Sequence, residues 1–72
     1  MNIYLSDKLK ELRSQKNISQ EKLAQYLNVS FQAVSKWENG SADPSTTNLL
    51  ALAKLYGVAA EELLRGIDRS EE

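Results

Sequence analysis

Cysteine and histidine are both missing from this chain of 72 residues, and proline occurs once. Without a thiol or an imidazole there is no disulfide, no common nucleophile–base pair and no soft or imidazole metal ligand. The expectation is therefore a non-enzyme with no catalytic residues, no metal and no cofactor. Only three glycines are present, and they fall at helix ends rather than in a phosphate-cradling loop. The neighbouring carboxylates Glu61-Glu62 and Glu71-Glu72 read as a helix start and a solvated tail, not as acid–base pairs. No apolar run approaches the roughly 18 residues of a membrane span, and no signal-peptide pattern opens the chain. These absences, with the lack of cysteine, fit a soluble cytoplasmic protein that meets no membrane. So small a chain also offers no evident pocket for a small-molecule ligand.

What is present suffices for one small domain, which buries only about 60% of the surface its unfolded chain exposes. The formal net charge is −1, but it is unevenly spread. Residues 1–42 carry six basic and four acidic side chains, whereas residues 43–72 carry three basic and six acidic. A polyanion would be met by the N-terminal half.

Strand-like alternation is missing and helical spacing recurs. Leu5, Leu9 and Leu12 form the stripe of a first helix, which Asn17 ends. Ser19 caps a second, with Glu21 in its first turn, Leu23, Ala24 and Leu27 inward, and Asn28 as a left-handed terminator. Ser30 caps a third, with Val34 and Trp37 inward and Gly40 closing it. After a loop over residues 41–45, a fourth helix from about Ser45 to Tyr56 is apolar nearly all round, and is expected to be the buried centre. Gly57 ends it. A fifth, about Ala60 to Arg65, is weakly capped, because Ala59 and Ala60 offer no side-chain oxygen. The fold class is all-α, a compact five-helix bundle over residues 1–66 with a polar tail over 67–72.

The tight link Asn28-Val29-Ser30 sets the second and third helices at a large angle, as in a helix-turn-helix. Ala24 permits close approach and Val29 is placed to enter the core. On a wheel of about 100° per residue with Val34 at the origin, Trp37 and Glu38 lie within roughly 60° of it. Gln32, Ser35, Lys36 and Asn39 occupy the opposite arc, which holds amides, a hydroxyl and an ammonium but no carboxylate. Glutamine can pair with adenine, lysine with guanine, and serine adapts to either. A plain solvated face is the alternative.

Gln20 stands at the start of the second helix, where a phosphate would be favoured; a neutral first-turn residue is the equal alternative. Phe31, at the edge of the outer face, either rims the core or touches a thymine methyl. Trp37 and Tyr56 are read as core rather than as a stacking platform. Glu38 on an inward face requires a partner, and Arg13 beside the leucine stripe is the natural one: a structural ion pair.

The run Ser19-Gln20-Glu21-Lys22-Leu23-Ala24, then Val29-Ser30, then Ala33-Val34-Ser35-Lys36-Trp37-Glu38-Asn39-Gly40, continued by Pro44, Leu49, Ala53-Lys54 and Gly57-Val58, resembles the Cro/C1-type (XRE-like) helix-turn-helix family of phage repressors and bacterial transcriptional regulators. The resemblance covers roughly residues 5–66. It implies a lambda-repressor-like domain that binds double-stranded DNA as a two-fold homodimer on a pseudo-palindromic operator, as a regulator and more specifically a repressor. The family's base-reading positions fall on Phe31, Gln32 and Lys36. Ser35 joins them from the outer arc, although the family keeps it, like Ser30, near the backbone. Phosphate contacts fall on Gln20, Ser30, Asn39 and Thr46, and the buried pair on Arg13 and Glu38. Leu64 and Ile67, with Leu63 as a further candidate, offer an apolar patch at the end that forms the dimer contact in the family; the alternative is that both leucines simply close the core. Asn28 replaces the glycine of many members, and the loop over 41–45 carries Asp43 where many have Lys or Arg, which implies a shallower salt dependence of binding.

Two other readings remain at this level. One is a protein–protein interaction module on the same fold, for which acids on the outer arc would be the sign. The other is the DNA-binding fragment of a longer regulator, which the polar end would suit.

Overall fold

Serine opens three of the helices, each time in the same way. In a computed structural model that describes residues 3–64, Ser19, Ser30 and Ser45 have extended backbones, and each side chain accepts a hydrogen bond from the N–H three residues on. The acceptor distances are 3.0, 3.1 and 3.2 Å, to Lys22, Ala33 and Asn48. Each cap satisfies one of the N–H groups that a helix start leaves without a partner. The elements in order are α1 (Ile3–Gln15), α2 (Gln20–Leu27), α3 (Phe31–Asn39), α4 (Thr46–Tyr56) and α5 (Ala60–Leu64), with no strand among the described residues.

The helices stop where the sequence indicates. Asn28 adopts the left-handed conformation at φ 60°, and its N–H turns back to the carbonyls of Ala24 and Gln25. Asparagine tolerates that region better than most residues, so no glycine is needed there. Asn17 does the same at φ 58° after α1. Val29, anchored by its N–H on Ala24 at 3.0 Å, packs partly buried against the core. With Ser30 as the next cap, the turn between α2 and α3 holds three residues, the tight link of a helix-turn-helix.

The leucines of α1, Leu23 and Ala24 of α2, and Val34 and Trp37 of α3 meet Leu49, Leu52, Ala53 and Tyr56 of α4 and Leu63 of α5 in one core. α1 packs on α3, α2 on α3, α4 on α5, and α1 on α5. The expectation that α4 is buried all round needs correction. Its inward stripe is Leu49, Leu52, Ala53 and Tyr56, the i, i+3, i+4, i+7 pattern of a one-sided helix, and Leu50 is 51% exposed. A step of about 100° turns Leu50 away from that stripe and leaves it half uncovered among the described residues. The fifth helix was expected to run to Arg65; its described part ends at Leu64.

Two charged groups join α1 to α3. Glu38 is 4% exposed, and Arg13 meets it with two hydrogen bonds, Nε to Oε2 at 2.7 Å and Nη2 to Oε1 at 3.0 Å. The expected pair is therefore present, and bidentate. This bonding to Glu38 raises the pKa of the guanidinium, against the opposing effect of its burial. The third donor, Nη1, reaches the carbonyl of Ile18 at 2.7 Å, so one arginine ties α1, the link into α2, and α3. Tyr56 lies nearby in the core with its hydroxyl buried and without a hydrogen-bond partner among the described residues. Burial, with a smaller push from the charge of Glu38, raises its pKa to about 12.

Three outcomes are expected from these contacts. Glu38→Leu alone should cost about 3 kcal/mol in urea melts, because it leaves a part-buried guanidinium unpaired. The Arg13→Met/Glu38→Leu double variant should cost less than that single change; equal losses would sink the coupling. Tyr56 ionises more readily unfolded than folded, so the native protein should lose stability as the pH rises from about 10 to 12. Tyr56→Phe should abolish that part of the decline and be at least as stable at neutral pH, since it removes an unsatisfied hydroxyl. A wild-type decline matched by Tyr56→Phe would refute it. Leu50→Gln should shift stability by no more than about 0.5 kcal/mol, against about 2–5 kcal/mol for Leu52→Ala.

Candidate nucleic-acid interface

α3 lies with Val34, Trp37 and Glu38 turned to the core, and this fixes what it presents outward. Phe31, Gln32, Lys36 and Asn39 are exposed, and Ser35 is half-buried. The exposed arc keeps the composition read from the sequence, donors and amides without a carboxylate. Phe31 is 44% exposed and is not among the residues packed against the core. That favours the outward of its two readings. Trp37 and Tyr56 are 6% and 5% exposed, which removes them as a stacking platform.

One end of α3 joins a cleft. Lys10 and Arg13 of α1, Gln20 of α2, and Ser35, Glu38 and Asn39 of α3 line an open hollow of about 250 Å³. Gln20, Ser35 and Asn39 were singled out for DNA from the sequence, and the fold brings them to this one place. Phe31, Gln32 and Lys36 lie outside it along the face of α3, and Ser30 and Thr46 are exposed at the starts of α3 and α4. Ser30 spends an oxygen lone pair on its cap and keeps its hydroxyl hydrogen free to donate. The side chain of Leu64 and all of Ile67, the expected dimer contact, lie outside the described residues.

The cleft also contains a bond that the sequence did not reveal. The side-chain amide of Gln20 donates from Nε2 to Glu38 Oε1 at 2.9 Å. Glu38 thus accepts from Arg13 twice and from Gln20 once, and its negative charge is spent on groups behind the surface. Gln20 is held in one orientation and retains the second hydrogen of its amide nitrogen. At the start of α2, Ser19 takes the N–H of Lys22 with its side chain and that of Leu23 with its carbonyl. The N–H groups of Gln20 and Glu21 have no partner among the described residues. At the far end of α3, Asn39 accepts the N–H of Ser41 on Oδ1 at 2.8 Å, which leaves its amide nitrogen as a donor. Lys10 is the lining residue not anticipated from the sequence. Its spacing, three before Arg13 on one helix, was the available signal.

Comparison with known proteins agrees with this arrangement. The sequence model of the helix-turn-helix family matches residues 9–63. The HTH-type transcriptional activator BcrR of Enterococcus faecalis is 44% identical over 85% of this chain, which spans 30% of that protein. An uncharacterized HTH-type transcriptional regulator of Methanocaldococcus jannaschii, MJ0272, is 39% identical over 82% of this chain and is 89% spanned by it. Repressor protein C2 of Salmonella phage P22 is 32% identical over 86% of this chain, which spans 29% of it. The chain thus spans less than a third of the activator and of the phage repressor, and nearly all of the archaeal protein. With the three-residue turn, the serine caps and a family match that extends from the middle of α1 into α5, the chain belongs to the helix-turn-helix family of transcriptional regulators.

Proposed function

We propose that this chain binds duplex DNA sequence-specifically and regulates transcription, as a repressor, by laying α3 in the major groove. The observation that carries the reading is the outward arc of α3. Gln32 and Lys36 are exposed on it beside Phe31, free of any carboxylate, and next to a cleft rimmed by amide donors. Gln32 suits the two-point edge of adenine, Lys36 the N7/O6 edge of guanine, and Phe31 a thymine methyl. Ser35, half-buried at the cleft, is placed for a base at the groove wall or for the neighbouring backbone. Gln20, Ser30, Asn39 and Thr46 hold the phosphates and fix the register in which the bases are read.

The role is one of binding, not of catalysis. On DNA the chain acts as a homodimer over a pseudo-palindromic operator, a reading supported by the family's two-fold habit. Work on DNA places it in the cytoplasm. No helix among the described residues is long and apolar enough to cross a membrane.

Selection from a random duplex library with the intact chain tests these points together. Two inverted half-sites about one helical turn apart are expected. A single half-site would refute the dimer, and no enrichment by folded protein would refute DNA reading in favour of a protein-interaction module. On the selected duplex, Gln32→Ala and Lys36→Ala should each cost about 1–3 kcal/mol and relax preference at one base position. Uniform weakening at every position would remove these residues from the bases.

A further inference from the structure

Two cations line the cleft between α1, α2 and α3, and they are not equivalent. Arg13 is mostly spent: each of its three nitrogens gives a hydrogen bond, two to Glu38 and one to the carbonyl of Ile18, which leaves two of its five N–H groups. Its charge is cancelled by a carboxylate whose two oxygens face Arg13 and Gln20. Lys10 is not spent. Among the described residues the ion pairs are Lys8–Glu62 and Arg13–Glu38, so Lys10 has no acidic partner, and its side chain is exposed at the cleft. The hollow therefore carries a net positive charge that comes from one ammonium.

The neutral groups around it are donors in fixed orientation. Glu38 holds Gln20 through one amide hydrogen and leaves the other. Ser41 holds Asn39 through its oxygen and leaves its amide nitrogen. One cation with two amide donors, in about 250 Å³, matches a singly charged tetrahedral oxyanion and leaves room for bridging water.

We propose that Lys10 completes a seat for one backbone phosphate of the DNA, with Gln20 and Asn39 as its neutral donors, and that Lys10 rather than Arg13 supplies the seat's charge. The proposal rests on the DNA-binding reading above and adds to it a residue and a division of labour. A cation without an internal partner is free to neutralise a phosphate and release a counterion when it docks, so Lys10 should appear in the salt dependence of binding.

The test compares wild type, Lys10→Gln and Lys8→Gln on a duplex recovered by the selection, by fluorescence anisotropy from about 50 to 200 mM KCl. Lys8 is on the same helix but paired with Glu62 of α5, so its variant reports the general loss of one charge. Thermal melts should be unchanged for Lys10→Gln, because the side chain is exposed. Lys10→Gln should lower the slope of log K against log salt by about 0.9 per bound protomer, so that across the range its affinity falls about threefold less than that of wild type for each protomer bound. Lys8→Gln should leave the slope nearly unaltered. An unchanged slope in Lys10→Gln, or equal drops in both variants, would overturn the seat while leaving DNA binding intact. Failure of the wild type to bind any duplex would overturn both.

Discussion

The carboxylate of Glu38 is the point at which three helices are fastened together. A charge buried to this degree would destabilise the fold if left alone, so its partners had to be built in. Arg13 supplies two hydrogen bonds from α1 and Gln20 a third from α2. The result fixes α3 against α1 and against the start of α2, with a directionality that apolar packing does not provide. Hydrophobic contact holds the helices near each other; the ion pair selects one angular setting of α3 among those the leucines would tolerate.

That same fastening determines what faces outward. Because Trp37 and Glu38 are committed to the interior, Gln32 and Lys36 are driven to the surface, and Gln20 and Asn39 come to the rim of one cleft. The stabilising contact and the surface chemistry are thus two sides of one helix. They share few residues, since the exposed arc contributes almost nothing to the core.

Most of the fold was legible in the sequence because its signals are local. Serine before each of α2, α3 and α4, the left-handed asparagine after α2 and the glycines after α3 and α4 are one-residue signatures of helix ends. Arg13–Glu38 could be found across 25 positions because an acid on an apolar face is rare enough to demand an explanation. The exposure of Leu50, the Gln20–Glu38 bond and the place of Lys10 in the cleft were not legible, and all three depend on packing. Leu50 reads as core in the sequence because leucine on a rich apolar helix looks alike on every side; only the positions of the neighbours show which side is uncovered. The Gln20–Glu38 bond was hidden for a related reason, since a polar residue in a first turn has many possible partners and the choice is made by tertiary approach. Of the proposed contact residues, the fold gathers Gln20, Ser35 and Asn39 and leaves the others strung along α3 or at helix starts.

The cap at Ser30 has a consequence for how such a domain can change its target. By deciding which residue begins α3, the cap sets the rotational phase of the helix, and a one-residue slip would turn it by about 100° and bring Ala33 round to where Gln32 stands. Phase is therefore encoded at a residue apart from those proposed to read bases, and is reinforced from the other end by Glu38. Positions 31, 32 and 36 are then free to vary in chemistry with the geometry held constant, so new sequence preferences are reachable by single substitutions that leave the scaffold thermodynamically indifferent.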